Sequence, residues 1–112
     1  GVEYYKKAIK LVAENLDNPV IYIFSDDPDW VRINLKNPYK TIVVDVNGTE
    51  DVCQDLWLMS SCKHFIIANS SLSWWGAWLS LSENKVVVAP KKWFANKSYD
   101  TSDLIPPDWI RI

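Results

Sequence analysis

The stretch "HFIIANSSLSWWGAWLS", residues 64–80, decides how this chain is read. Residues 64–68, "HFIIA", are a short apolar run of strand length. Asn69, Ser70 and Ser71 follow as a strand-to-helix turn, with a helix expected from Ser71 to Leu81. Ser70 or Ser71 suits the N-cap, because a hydroxyl there accepts from a free backbone N–H, and Ser73 falls in the first turn. Hydroxyls and unpaired N–H groups then converge at the positive end of a helix, an arrangement that suits phosphate oxygens. A serine cap followed by an aromatic core is the competing structural reading of the same residues.

The helix behind the turn holds Trp74, Trp75 and Trp78, three of the chain's seven tryptophans. Leu72, Trp75 and Leu79 share one ridge, and Trp74, Trp78 and Leu81 a second. Ser73, Gly76, Ala77 and Ser80 form a narrow side able to approach a sheet or ligand closely. Glycine inside a helix costs about 1 kcal/mol relative to alanine, so close approach is the expected reason for Gly76. The tryptophans are expected to lock the helix over the sheet.

Outward from this stretch, apolar runs alternate with amphipathic segments. Tyr5, Ala8, Ile9, Val12 and Leu16 keep a helical period, with Lys6, Lys7, Lys10 and Glu14 opposite, which predicts a helix over 4–16. "VIYIF" (20–24) and "TIVVDV" (41–46) read as strands buried on both faces. Between them a helix is expected from Pro28 to Leu35, capped by Ser25 or Asp26. Val52, Cys53, Leu56, Trp57 and Ser60 recur at helical spacing, predicting a helix over 50–61. "KVVVAP" (85–90) is a further strand, followed by an irregular aromatic tail that closes on "DWIRI". Such alternation is α/β, a Rossmann-like parallel sheet flanked by helices, with ligands expected beyond the carboxyl ends of the strands. The chain is read as one domain over residues 1–112. It opens on a helix, so a first strand is expected upstream, in a larger α/β unit.

A chain of 112 residues, 48% hydrophobic and 23% charged, has the composition of a folded domain. Its 12 basic and 14 acidic residues are interspersed, with a net charge of −2. A nucleic-acid binder would need a basic stripe, so nucleic acid is not an expected partner. Cys53 and Cys62 match no zinc spacing and read as reduced thiols, which favours a cytoplasmic setting. No signal peptide or membrane-spanning run is present, and peripheral membrane association is not visible in the sequence. Asn47, Asn69 and Asn96 stand in N-x-S/T sequons, which carry weight only in secreted proteins.

Other signals compete. Asp27-Pro28-Asp29 spells D-x-D, a pattern that can hold a divalent cation; first-turn acids at a helix N-terminus explain it better, and no metal is expected. His64 lies at the start of its strand, opposite the expected binding end, and reads as structural or solvated. Lys91 and Lys92 follow a strand's carboxyl end, where either a solvated pair or a phosphate contact fits. Trp93, Phe94, Tyr99 and Trp109 suit core filling more often than ligand stacking.

The segments "DLWLMSSCKHFIIANSSLSWWGAWLS" and "KVVVAPKKWF" resemble the C-terminal part of the bacterial α-1,2-fucosyltransferases. The similarity extends to "YYKKAIK", "IYIFSDDPDWV" and "IPPDWIRI", and so covers nearly the whole chain. Leu72 stands where the family often has Phe. The family's H-x-R-R-x-D motif, whose arginines are expected to meet donor phosphates, is absent and would lie before residue 1. The resemblance implies the C-terminal, donor-binding half of a GT-B-type glycosyltransferase. It implies inverting, metal-independent transfer of L-fucose from GDP-fucose to the 2-hydroxyl of galactose in a glycan, with no cofactor.

By position, the resemblance implies that Ser70, Ser71 and Ser73 contact the pyrophosphate, and that Asp55 faces the guanosine. Asp26 would lie near the same cleft, and Asn69 would orient the serine loop. No catalytic base is assignable, and the isolated fragment is expected to be inactive. Two other readings stand beside this one. One is a non-catalytic nucleotide- or sugar-binding Rossmann module. The other is a response-regulator-like domain, which Asp26, Asp27, Asp45 and Lys91 imitate loosely.

Overall fold

The computed structural model describes residues 2–46, 52–93 and 104–112, without the side chain of Val52. The chain forms two compact units, Gly1–Val52 and Cys53–Ile112.

In the first unit, α1 (Val2–Ala13) buries Ala8, Ile9 and Ala13 as one stripe and leaves its lysines in solvent. The helix stops three residues before the expected Leu16, which is 38% exposed. The Leu16 N–H bonds the Ala13 carbonyl at 3.1 Å, and Asn18 takes a left-handed φ of 48°. Pro19 keeps Asn18, the residue before it, out of the helical region and so bars the helix from running on into β1. β1 (Val20–Ser25) and β2 (Lys40–Asp45) pair in parallel, from Val20 opposite Lys40 to Ser25 opposite Asp45.

Their connection runs through α2 (Pro28–Asn34). Its N-cap is Asp27, one residue beyond the expected Asp26, with the carboxylate accepting from Trp30 N at 3.2 Å. Ser25 does not cap the helix directly; its Oγ accepts from Asp27 N at 3.0 Å and orients the cap.

Burial of these strands on both faces is not observed. Val20 is 42%, Tyr22 50% and Ile42 38% exposed. Alternation puts Val20 and Tyr22 on one face, and Tyr22 pairs with Ile42, so a single face lies open. A crossover helix covers only the face it crosses, and α2 is in contact with both strands.

The second unit contains α3 (Val52–Ser60), β3 (Phe65–Ile66), α4 (Ser71–Leu79), β4 (Val87–Ala89) and β5 (Ile110–Arg111). Its sheet is parallel throughout, in the order β3-β4-β5. Two separate parallel sheets therefore stand where one was expected, and the α/β class holds. β5 is absent from the sequence-level reading, because two residues are too few to show a periodicity. Its pairing of Val88 with Ile110 and Ala89 with Arg111 turns the aromatic tail into part of the sheet. Trp93, Ile105 and Trp109 pack with Phe65, Ile67 and Val87 in the core of this unit. Phe94 and Tyr99 lie outside the described residues.

α3 faces differently from its apolar spacing. Trp57 is 67% exposed and Cys53 is exposed, whereas Asp55 is 5% exposed. Met59, one turn after Asp55, meets Gly76 of α4, where an added Cβ would stand 3.0 Å from Met59 Cβ. The narrow side of α4 is thus the buried side, with Ala77 fully buried and Ser80 6% exposed. Gly76 meets α3 there, and Ala77 packs with Phe65, Ile67, Val87 and Ala89 of the sheet side, as a narrow face allows.

Only Trp74 of the three helix tryptophans acts as a lock. Its Nε1 donates to the Leu104 carbonyl at 2.8 Å, and its ring lies 6.1 Å from Trp109. Trp75 and Trp78 are 47% and 52% exposed and pack edge-on and stacked against Trp74. Leu81, 95% exposed, lies beyond the helix end. The Lys85 ammonium donates to the carbonyls of Ala77 at 2.8 Å and Ser80 at 3.1 Å and closes that end. His64 serves the opposite edge of the sheet: its Nδ1 accepts from Val86 N at 3.0 Å, which sets the start of the β3-β4 ladder.

Candidate functional site

Because β3, β4 and β5 are parallel, their carboxyl ends share one edge of the second unit. Three segments meet there: Asn69–Ser73 after β3, Pro90–Trp93 after β4, and Arg111–Ile112 at the end of β5. Hydrogen bonds tie them together. Asn69 Nδ2 donates to the Trp93 carbonyl at 3.2 Å, and Lys91 N donates to the Ile112 carbonyl at 2.9 Å. The Arg111 guanidinium donates from Nε to the Pro90 carbonyl at 3.1 Å and from a terminal nitrogen to the Lys91 carbonyl. Asn69 thus ties the turn after β3 to the loop after β4. Arg111 was missed at the sequence level; a strand-ending arginine after "DWI" is the only signal it leaves.

The serine turn is built by its own hydroxyls. Ser70, in extended backbone, is the N-cap of α4: its Oγ accepts from Ser73 N at 3.2 Å, and its carbonyl accepts from Trp74 N at 3.1 Å. Ser73 Oγ lies 3.0 Å from the Ala68 carbonyl, 3.1 Å from the Ser70 carbonyl and 2.7 Å from Ser70 Oγ. A hydroxyl carries one hydrogen. With the Ser73 hydrogen on a carbonyl, the Ser70 hydroxyl donates to Ser73 Oγ, and both hydroxyls are engaged within the turn. Ser71 is exposed, and its hydroxyl has no hydrogen-bond partner among the described residues. The first N–H groups of α4 have no partner within the helix. The outward-facing donors are therefore Ser71 and the helix start, and Ser70 and Ser73 form the frame beneath them.

Lys91 and Lys92 are exposed at the same edge. Together with Arg111 and the positive helix end they make this edge suited to an anion. Asp55 belongs to the same unit but is enclosed in α3 and engaged with other groups. Asp26 is exposed in the turn after β1 and belongs to the first unit. The D-x-D acids are occupied locally: Asp27 caps α2, and Asp29 Oδ1 pairs with Arg32 Nη1 at 3.2 Å. Among the described residues no three His, Cys, Asp or Glu side chains gather as a metal site, and no helix is long and apolar enough to cross a membrane. Of the three sequons, only that of Asn69 lies among the described residues.

No solved structure matches the chain. It is 44% identical over 113 residues to an O-antigen biosynthesis glycosyltransferase, WbnK, of Escherichia coli, covering 99% of this chain and 36% of that protein. It is 40% identical over 111 residues to an alpha-1,2-colitosyltransferase of Escherichia coli, covering 97% of this chain and 38% of that one. The chain therefore spans little more than a third of the length of these relatives. The family model for glycosyl transferase family 11 matches residues 1–112, the family expected from the resemblance, and the chain belongs to that family of glycosyltransferases.

Proposed function

We propose that the carboxyl edge of the β3-β4-β5 sheet holds the diphosphate of a nucleotide-sugar donor, GDP-fucose, in a fucosyltransferase. The observation that carries this reading is the Ser71 hydroxyl, exposed at the start of α4 on the same sheet edge as the exposed Lys91 and Lys92. In the intact enzyme the bond between the anomeric carbon and the diphosphate oxygen breaks as an acceptor hydroxyl attacks from the opposite side, inverting the centre. The departing GDP gains negative charge in that step. Fixed donors aimed at it lower the barrier, because they are already oriented when the charge develops. Ser71, the α4 N-terminus and the lysines supply such donors, and the route needs no metal. Ser70 and Ser73 hold the turn in shape, and Asn69 ties it to the Trp93 loop.

The acceptor in this reading is the 2-hydroxyl of galactose in a glycan. One relative is named for α-1,2-colitosyl transfer, so the identity of the deoxy sugar is the natural point of comparison. The GT-B architecture, the role of this unit as the donor half, and donor contacts from an H-x-R-R-x-D segment belong to the same proposal. So does a cytoplasmic location. A guanosine contact by Asp55, which is enclosed in α3, and a cleft position for Asp26, in the first unit, belong to it too.

Calorimetric titration of the chain with GDP and ADP tests the site, and product analysis with full-length protein tests the reaction. Saturable GDP binding weakened by Ser71→Ala is the expected result. The reaction arm should show α-1,2-linked fucose on a galactose-terminated acceptor, undiminished by EDTA. Equal binding of ADP, or transfer of a different sugar only, would overturn the donor assignment.

A further inference from the structure

The first unit contains a groove of ≈ 270 Å³ that lies away from the Asp26 turn. Lys6 and Lys10 of α1 line one side, and Lys36, in the loop after α2, lines the other. Its apolar lining includes Ile9 and Leu35, both buried, and Tyr39. The loop holding Lys36 and Tyr39 leads into Lys40, the first residue of β2. The groove therefore sits at the amino end of the β1-β2 sheet. Asp26 follows the carboxyl end of β1, and six residues of strand separate the two ends by about 20 Å.

We propose that this groove is a second anion site, holding the phosphate or diphosphate group of a ligand whose adjoining part is apolar. Lys6 and Lys10 stand four residues apart and so share one helix face. Like charges at that spacing disfavour a helix, and a third cation from the Lys36 loop adds to the repulsion. Nothing in the lining offsets it, since the groove has no carboxylate. None of the three lysines forms an ion pair among the described residues. A bound anion would remove this imbalance.

The loop is also held in advance of any ligand. Asn37 Oδ1 accepts from Tyr39 N at 2.9 Å, and Asn37 Nδ2 donates to Thr41 Oγ1 at 3.0 Å. The groove's volume of ≈ 270 Å³ is ample for a group the size of a diphosphate. The apolar lining suits a ligand that continues into hydrocarbon or a ring, and the lysine stems can cover part of it while their ammoniums reach the phosphate.

The test uses the whole chain, inorganic pyrophosphate, and vesicles of phosphatidylglycerol or phosphatidylcholine at low salt. Amide shifts of Lys36, Asn37 and Tyr39 report pyrophosphate, and co-sedimentation reports vesicles. Pyrophosphate should move these amides, and K6Q/K10Q/K36Q should weaken that response by about tenfold or more. Ser71→Ala should leave it unchanged, which separates this groove from the serine turn. A response to phosphatidylglycerol vesicles alone, lost in the triple variant, would identify a lipid headgroup as the source of the phosphate. Absence of both responses, or a triple variant that binds as well as the parent, would overturn the proposal. The substituted lysines are exposed, so unchanged circular dichroism should accompany each result.

Discussion

Gly76 of α4 lies against Met59 of α3 so closely that an added Cβ would stand 3.0 Å from Met59 Cβ and 3.3 Å from its Sδ. The first of these contacts is to an atom fixed on the α3 backbone, which no rotation of the methionine can move. Gly76→Ala gains about 1 kcal/mol of helix propensity, but overpacking typically costs about 1–3 kcal/mol. The expected net effect in urea unfolding is a loss of about 1 kcal/mol. Shortening the neighbour in G76A/M59A should restore little, because the Cβ contact remains. Full restoration would show that the thioether, rather than helix spacing, requires the glycine.

Ser70 and Ser71 are adjacent but should separate cleanly by measurement. Ser70→Ala removes the N-cap bond to Ser73 N and should cost about 1 kcal/mol of stability. Ser71→Ala removes no bond among the described residues and should shift stability by less than about 0.5 kcal/mol. If Ser71 donates to a diphosphate, its loss should weaken GDP binding by about tenfold or more. Thermal unfolding and GDP titration of both variants check the split.

Lys85 closes the far end of α4 through the carbonyls of Ala77 and Ser80. Lys85→Met keeps an apolar side chain of similar length and removes the ammonium. A loss of about 1–2 kcal/mol is expected, in line with a partly buried charge at a helix C-terminus. Faster amide exchange in the last turn of α4 should accompany it.

The thiols should differ in reactivity. Cys53 is exposed, whereas Cys62 is half-buried and its burial pushes the thiol up from the ordinary value of 9.0. Iodoacetamide should therefore modify Cys53 first at neutral pH, because the thiolate is the reacting form.

The same burial has a consequence for stability in alkali. In the folded chain the neutral Cys62 thiol is favoured, so the unfolded chain loses its proton first as pH rises. Stability from this source is full below pH 9.0 and is lost as pH climbs through the raised folded value. Tyr5 shifts upward through burial, and Tyr4 through burial and the neighbouring Tyr5 phenol, so both add to the loss at still higher pH. Thermal scans should show a falling midpoint above pH 9.0, with a shallower fall in Cys62→Ala.

The alternation of strands and helices, the turn after β3 and the helix start at Ser70 were legible from the sequence. Each rests on contacts between near neighbours: apolar periodicity, or a hydroxyl reaching an N–H three residues on. The motif around Ser70 also located the family. What the residues could not indicate was which face each element would bury. Trp57 and Trp78 look like core yet stand half-exposed or more, and Asp55 looks like surface yet is enclosed. Helix α4 turns Gly76 to Met59 of α3 and Ala77 into the core with Phe65, Ile67 and Val87, which leaves Trp75 and Trp78 about half-exposed.

Sequence alone determined the α/β class, the family and the position of the serine turn at a strand's carboxyl end, because these are set locally. Tertiary structure decided that Ile110–Arg111 would join the sheet and that Arg111 would grip the Pro90–Lys91 loop. It also decided that one face of β1-β2 would stay open. Those outcomes depend on pairings between residues far apart in the chain, whose free energy appears only when both partners are already in place.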